Sequence, residues 1–153
     1  MTVSVLAALA ALATPPTKVH GPFGIGLILG EPSGISGKLF LDKRHALDLA
    51  LDFSLKNDAF YVHGDYVLHL PGLLASLPGG IWLAYVGVGG KVKLRERKKS
   101  ADELGLTVRV PLGVAWMPKT VPIDIFLEVV PGVRVLPETD PDFGAGLGIR
   151  WFF

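Results

Sequence analysis

Hydrophobic and polar residues alternate along most of the chain from Phe23 onward, which is typical of β-strands whose two faces meet different surroundings. In the clearest segment one face carries Leu47, Leu49, Leu51, Phe53 and Leu55. The other face carries Asp48, Ala50, Asp52 and Ser54. A helix would scatter both sets around its axis, so the pattern predicts strands.

Groups of Gly, Pro, Asn and Asp divide the alternating region into eight segments. The segments cover residues 22–30, 35–42, 46–55, 59–70, 81–94, 105–117, 122–136 and 142–153. The number is even, and most segments reach the ~9–11 residues that a tilted strand needs to cross a bilayer. The sequence therefore predicts an all-β fold, an eight-stranded antiparallel up-and-down transmembrane β-barrel.

The period alone does not say which face points inward, because a soluble lipocalin-like barrel would alternate in the same way with its apolar face inside. The less apolar face is rich in small residues: Gly24, Gly26, Ala50, Gly87, Gly89, Gly113, Ala115, Gly144, Gly146 and Gly148. Small residues suit the narrow interior of an eight-stranded barrel better than a solvent-facing surface. The apolar face is therefore predicted to point outward, which disfavours the soluble carrier.

The aromatic residues of the apolar face fall at the ends of the predicted strands. Following the chain up and down assigns them to two levels: Phe23, Trp82, Trp116, Trp151 and Phe153 at one end, and Phe53, Phe60 and Phe143 at the other. Aromatic rings concentrate at the two membrane–water interfaces of outer-membrane barrels. We therefore interpret both sets as membrane-interface aromatics.

The last segment alternates up to a terminal Phe153, which resembles the C-terminal assembly signal of outer-membrane barrels. Over about residues 22–153 the chain resembles small barrels of the OmpA and OmpX kind. Residues 29–38, LGEPSGISGK, and 63–69, HGDYVLH, are similar to motifs of poorly characterised bacterial outer-membrane barrels. The resemblance implies a bacterial outer-membrane location, contacts with outer-membrane lipids, and handling by the barrel-assembly machinery. Unlike OmpA, this sequence shows no peptidoglycan-binding domain and no long surface loop.

The first residues differ from the rest. The apolar run from Val3 to Ala13 ends in Ala11-Leu12-Ala13, which indicates a signal peptide over residues 1–13 with cleavage after Ala13. The segment before the run lacks Lys and Arg, and the alternative is an N-terminal helix that stays attached. Residues 14–21 are then a short lead, and residues 22–153 form a single barrel domain.

Composition narrows the function classes. The 153 residues include 15 basic and 14 acidic side chains, a balance that does not suggest nucleic-acid binding. The chain has no Cys, so disulfides and thiolate metal sites are excluded. Half of the residues are hydrophobic, yet beyond the N-terminal run no stretch is long enough for a membrane-spanning helix.

With the apolar face outward, the predicted interior contains charged residues of both signs. We call nine of them the luminal cluster: Lys38, Asp48, Asp52, His63, Asp65, Lys91, Arg109, Glu128 and Arg150. The same face also carries His69, Lys93 and Asp124. Buried charges are costly unless they are paired, so we expect the cluster to form a salt-bridge plug.

The predicted turns give specific cross-strand pairs. A hairpin centred on Asn57-Asp58 places Asp52 opposite His63 and Ala50 opposite Asp65, and a turn at Lys43-Arg44 places Lys38 opposite Ala50. A hairpin through Glu138 and Thr139 places Glu128 near Arg150, with a bulge expected at Pro131-Gly132.

No catalytic, cofactor or metal site is predicted. His63 and His69 share a face but are separated by ~20 Å of strand, so one ion cannot bind both. Asp52 and His63 could orient and activate a nucleophile, but the nearest hydroxyl, on Ser54, has no visible route to lipid. The basic segment Arg95–Lys99 is interpreted either as a solvated loop or as a contact with lipopolysaccharide phosphates.

The sequence thus predicts a structural or surface-interaction barrel with a plugged polar lumen, favoured as a monomer. The alternatives are a narrow channel through the lumen and a lipid-modifying enzyme of the outer membrane.

Overall fold

The computed structural model describes residues 15, 17, 19–56, 58–96, 105–136 and 138–153. The signal peptide predicted for residues 1–13 lies outside them. The strands are β1 Phe23–Glu31, β2 Ser33–Phe40, β3 His45–Ser54, β4 Ala59–Leu70, β5 Ile81–Glu96, β6 Gly105–Arg109, β7 Leu112–Met117, β8 Ile123–Leu136 and β9 Asp140–Phe152. In the described part of the chain no helix is long and apolar enough to span a membrane.

The strands form a closed antiparallel barrel. Neighbours along the chain pair in order, and β1 closes the ring by pairing with β9. β6 and β7 occupy one position, because both lie between β5 and β8. The predicted eight-stranded up-and-down barrel is therefore confirmed, with its sixth strand interrupted.

The interruption lies at Val110-Pro111, within the predicted segment 105–117. Pro111 has no N–H to donate to a neighbouring strand, so a regular ladder cannot run through it. The remaining backbone groups still find partners: the Pro111 carbonyl accepts from the Gly87 N–H, and the Val110 N–H donates to the Pro131 carbonyl, each at 2.9 Å. The interrupted strand therefore stays in the ring.

The two faces of the wall have opposite chemistry. On β3, Leu49 and Leu51 are 62% and 58% exposed, whereas Asp48 and Asp52 are 8% and 2% exposed. The other strands repeat this pattern, with aliphatic side chains outside and polar or small residues inside. The apolar face points outward, as predicted.

The two ends of the barrel differ. We call the end with Phe23, Met117 and Phe152 the base and the end with Glu31, Ser54 and Asp140 the mouth. The base is filled by a buried apolar cluster of Phe40, Ala46, Leu83, Met117 and Phe152. A second cluster higher in the barrel comprises Ile28, Val67, Tyr85, Ala115 and Phe126. The sequence analysis expected small and charged residues in the interior. The structure adds two buried clusters that contain large apolar side chains.

The inward glycines make room for these rings. A Cβ added to Gly148 would lie 2.2 Å from the Phe126 ring, and one added to Gly24 would lie 2.7 Å from the Phe152 ring. A Cβ at Gly113 would lie 2.4 Å from the Tyr85 ring. These three glycines thus face large inward side chains on the neighbouring strands.

The predicted cross-strand pairs are wrong in register, although the faces are right. Asp52 lies opposite Tyr61 rather than His63, and Ala50 lies opposite His63 rather than Asp65. The centre of this hairpin falls one residue earlier than predicted, and Asp58, the residue before β4, adopts a left-handed conformation (φ 49°) in the turn.

Lys38 lies opposite Asp48 rather than Ala50. The carboxylate of Asp42 accepts from the backbone N–H groups of Arg44 and His45 at 2.7 and 2.8 Å. This side-chain turn centres the hairpin one residue before the predicted position.

At the other hairpin Arg150 lies opposite Asp124, and Glu128 lies opposite Gly146. The expected bulge at Pro131-Gly132 is absent from the β8–β9 ladder, which runs without a register shift from Ile123 to Arg134. Pro131 is accommodated because β8 changes partner there, from β7 to β6.

Candidate functional site

All nine residues of the luminal cluster lie inside the barrel, each at most 8% exposed. Seven of the eight strand positions contribute, because β2, β3, β4, β5, β6, β8 and β9 each carry at least one of the residues. The contacts form three levels between the base and the mouth.

The level nearest the base contains Lys38. Its Nζ lies 3.3 Å from Asp48 Oδ1 and 3.1 Å from His69 Nε2. His69 Nδ1 donates to the Arg44 carbonyl at 3.1 Å, so Nε2 is left as the acceptor for the ammonium group. His69 is thus a buried hydrogen-bonding residue, on the inward face to which the sequence assigned it.

Arg150 joins this level to the opposite wall. Its Nε and Nη2 lie 3.1 and 2.8 Å from the carboxylate of Asp124. Its Nη1 lies 3.4 Å from Ser36 Oγ and 3.6 Å from Asp48 Oδ2, and the guanidinium carbon lies 4.0 Å from the centre of the Phe126 ring. The main partner of Arg150 is therefore Asp124, whereas the sequence analysis placed Glu128 near Arg150.

The middle level joins Arg109 to two acids. Arg109 Nε lies 3.1 Å from Asp65 Oδ1, and Nη2 lies 3.8 Å from Glu128 Oε1. The Tyr85 hydroxyl donates to Glu128 Oε2 at 2.8 Å. Glu128 is thus held from two sides of the lumen.

His63 also belongs to the middle level. Its Nδ1 donates to Asp52 Oδ2, and its Nε2 lies 3.7 Å from Asp65 Oδ2. Asp52 and His63 meet although they are diagonal neighbours rather than directly opposite, since diagonal pairs lie within reach of long side chains.

The level nearest the mouth contains Lys91. Its Nζ donates to Asp142 Oδ2 at 2.9 Å and lies 4.8 Å from the centre of the Tyr61 ring. Above it, the Ser54 hydroxyl donates to Glu31.

Among the polar side chains that sequence reasoning missed in the interior are His20, Tyr61, Tyr85 and Asp142. An even number of residues separates Tyr61 from His63, Tyr85 from Lys91, and Asp142 from Arg150, so each pair lies on the same face of its strand. Strict alternation would therefore have identified Tyr61, Tyr85 and Asp142 as inward. His20 precedes β1, where no period exists. It donates from Nε2 to the Ile123 carbonyl at 2.9 Å and packs edge-on against Phe152 at the base.

Charges in the interior are nearly but not fully matched. Among the described residues five buried carboxylates, on Asp48, Asp52, Asp65, Asp124 and Glu128, accompany four buried cations, on Lys38, Lys91, Arg109 and Arg150. Asp52 Oδ1 is buried and has no hydrogen-bond partner within the described part of the structure. Asp48 Oδ1 and Arg109 Nε also lack a well-aligned hydrogen bond, but each lies within ion-pair distance of an opposite charge.

Two adjoining spaces lie at the mouth. The mouth cavity, of about 390 Å³, is lined by Glu31, Lys56, Tyr61, Lys91, Arg134 and Asp142, among others. Below it lies a space of about 20 Å³, the inner chamber, which is lined by Asp52, His63, Arg109 and Glu128 and shares Glu31, Lys91 and Asp142 with the mouth cavity. No group of three or more His, Asp or Glu in the described residues is arranged to hold a metal ion.

The eight aromatic residues that the sequence assigned to membrane interfaces divide between the two ends of the barrel. At the base, Trp82 and Trp116 face each other at 6.1 Å between ring centres, Phe23 stacks on Phe153 at 6.4 Å, and Trp151 lies opposite Ile25 and Ile123. At the mouth, Phe53 lies 4.9 Å from Phe60, and Phe143 is exposed. The side chains of the basic segment Arg95–Lys99 lie outside the described residues.

The loop between β4 and β5 positions two of the base tryptophans. Trp82 Nε1 donates to the Pro78 carbonyl at 3.0 Å, and Trp116 Nε1 donates to the Gly79 carbonyl at 2.9 Å. The N–H groups of both indoles therefore find their acceptors in this loop at the base.

Comparison with known proteins gives a likeness of fold. No protein-family model matches the chain, and no curated protein matches it significantly. The N-terminal β-barrel domain of OprF from Pseudomonas aeruginosa superposes with a TM-score of 0.67 at 15% sequence identity, covering 88% of this chain and 99% of that domain. The chain therefore has the fold of that barrel domain.

Proposed function

We propose that the chain is a bacterial outer-membrane barrel that serves as a structural or surface-interaction protein, with a lumen closed to solutes and without catalytic activity. The observation that carries this proposal is the distribution of side chains across the barrel wall, which is the reverse of that in a water-soluble barrel. Exposed Leu, Ile and Val side chains cover the outside of the strands, and paired charges fill the inside. A continuous apolar surface of this kind is unfavourable in water, whereas the hydrocarbon core of a bilayer favours it.

The arrangement of the aromatic residues supports the same location. Trp and Tyr favour the headgroup level, because one part of the ring prefers hydrocarbon and another prefers water. Three tryptophans lie at the base, where β1 begins and β9 ends. The base would then face the periplasm and the mouth the outside, in contact with outer-membrane lipids and lipopolysaccharide.

A closed lumen is favoured over a channel by the base. Phe40, Met117 and Phe152 are each at most 2% exposed, and His20 packs beside them. An ion that crossed this layer would lose its hydration without finding polar groups to replace the water. The barrel would act through its outer surface and its mouth rather than by transport, and we expect a monomer folded by the barrel-assembly machinery.

The location is tested by expressing the full chain in a Gram-negative host and fractionating the envelope. We expect recovery with outer membranes and faster migration of unheated samples on detergent gels, because a closed barrel stays folded in cold detergent. Recovery as a detergent-free periplasmic protein would overturn the membrane location.

Closure is tested by planar-bilayer conductance of the refolded chain. The wild type is expected to give no steady conductance. Phe152→Ala, which removes a ring from the base, should permit brief openings, whereas Phe143→Ala on the outside at the mouth should not. Steady conductance of the wild type would overturn the closed barrel and favour a narrow channel. Phospholipid hydrolysis by the refolded barrel would argue for the enzyme.

A further inference from the structure

The mouth cavity and the inner chamber together form a funnel that the proposed structural role does not use. The mouth cavity is large enough for a small organic molecule, whereas the inner chamber, at about 20 Å³, has room for one group the size of a water molecule. Glu31, Lys91 and Asp142 line both spaces, so a molecule in the mouth cavity lies directly above the chamber.

The chamber requires a hydrogen-bond donor. Asp52 is 2% exposed, its Oδ2 is occupied by His63, and its Oδ1 has no partner among the described residues. A carboxylate only accepts, so a group that satisfies Oδ1 must carry N–H or O–H. The surplus of carboxylates over cations in the lumen favours a group with positive charge. A primary ammonium meets the requirements of size, donor character and charge.

The mouth cavity requires the opposite charge. Its two lining acids are already engaged, since Glu31 accepts from Ser54 and Asp142 accepts from Lys91. Arg134 pairs with Asp140 through Nη2, but its Nε is buried without a hydrogen-bond partner among the described residues, and Lys56 is exposed at the rim. The charged donors that line the cavity, on Lys56, Lys91 and Arg134, are cationic, so the cavity favours an anionic group.

We propose that the funnel binds a small zwitterion, whose primary ammonium enters the inner chamber beside Asp52 and whose anionic group lies among Lys56, Lys91 and Arg134. Phosphoethanolamine carries this chemistry both as a free compound and as a lipid headgroup. The inference goes beyond the proposed function, and it rests on the barrel interior rather than on the membrane location.

The test is calorimetric titration of the refolded full chain, in a maltoside detergent that has no zwitterionic headgroup, with phosphoethanolamine. Phosphocholine is the matched control ligand, because three methyl groups remove every N–H and exceed the size of the chamber. We expect phosphoethanolamine to bind about tenfold more tightly or better, since a hydrogen bond to a charged group is worth ~1.5–3 kcal/mol. Equal affinities, or no saturable binding of phosphoethanolamine, would overturn the proposal.

Two variants locate the site. Asp52→Asn, which keeps the side-chain shape, and Arg134→Gln, which alters a partly exposed residue and should leave folding intact, should each weaken phosphoethanolamine by about tenfold. Asp42→Asn at the base is the control and should bind as the wild type does. Unchanged affinity in Arg134→Gln, or in a folded Asp52→Asn, would contradict the proposed site.

Vesicles of phosphatidylethanolamine separate the two sources of the ligand. If the lipid headgroup reaches the funnel, these vesicles displace bound phosphoethanolamine from the reconstituted barrel, whereas phosphatidylcholine vesicles do not. If only the free compound fits, neither lipid displaces it.

Discussion

At the scale of single residues, the interior is held by charges that depend on each other. Lys38 is 1% exposed and lies 3.3 Å from Asp48, which also lies 3.6 Å from the guanidinium group of Arg150. A buried pair contributes little against an apolar replacement of the same shape, but removal of one partner leaves a charge without compensation. The luminal cluster therefore makes the barrel sensitive to single substitutions.

Lys38→Met should lower the urea midpoint of the refolded barrel, with a loss of about 3–5 kcal/mol, because Asp48 loses its nearest cation. Asp65→Ala should act in the same direction, because Arg109 loses the carboxylate 3.1 Å from its Nε. The double variant Lys38→Met/Asp48→Leu should recover part of the loss, since it removes both charges. Single variants as stable as the wild type would show that the cluster does not stabilise the barrel.

Asp42 is a residue outside the strands whose charge fixes a turn. Hydrogen bonds from the backbone N–H groups of Arg44 and His45 lower the pKa of its carboxyl from 3.8 to about 2. Because the folded-state pKa is below the unfolded value, the stabilisation is present above pH 3.8 and is lost as the pH falls to about 2.

Asp42→Ala should therefore lower the denaturation midpoint at neutral pH, and the difference from the wild type should shrink below pH 3.8 and disappear as the pH falls through about 2. Parallel denaturation curves at several pH values measure this, with Asp58→Ala in another turn as the comparison. A difference between Asp42→Ala and wild type that stays constant down to pH 2 would contradict the role of the ionised carboxylate.

At the scale of elements, neighbouring strands are matched by the size of their paired inward residues. Gly148 on β9 leaves space for the ring of Phe126 on β8, and Gly113 on β7 leaves space for the ring of Tyr85 on β5. On the outside, Gly37 has no atom closer than 3.8 Å to an added Cβ. Glycines on the two faces of one barrel therefore have different tolerances to substitution.

Gly148→Ala should destabilise the barrel by about 1–3 kcal/mol, because the new methyl group overlaps the Phe126 ring. Gly37→Ala, the matched change on the outer face, should be close to neutral. The measurement is the urea midpoint of each refolded variant in the same detergent. Equal effects of the two substitutions would show that the ring of Phe126 moves away at no cost.

At the scale of the whole molecule, the barrel combines an apolar outer band, a charged middle and an apolar base. The proposed membrane location assigns the band to the bilayer core and the base to the periplasmic boundary. Trp82, Trp116 and Trp151 all lie near the base.

Depth-dependent quenching by lipids brominated at different acyl positions should therefore place all three indoles near one boundary of the bilayer. Variants that keep a single tryptophan, with the others changed to Phe, separate the signals. An indole found at the bilayer midplane would contradict the proposed position of the barrel in the membrane.

The sequence by itself determined the strands, their number and which face points outward. The alternation of hydrophobic and polar residues is a local property of each strand, so it does not depend on where the turns are centred. It also identified the residues of the luminal cluster, since these charged residues lie on the face of each strand opposite the apolar residues.

Only the tertiary structure decided the partners. A shift of one residue at the centre of a turn moves every cross-strand pair by two, and those centres depend on Asp42 and on the conformation of Asp58. The closure of the base by His20, Phe40 and Phe152 likewise depends on curvature and strand tilt, which bring together residues far apart in the sequence.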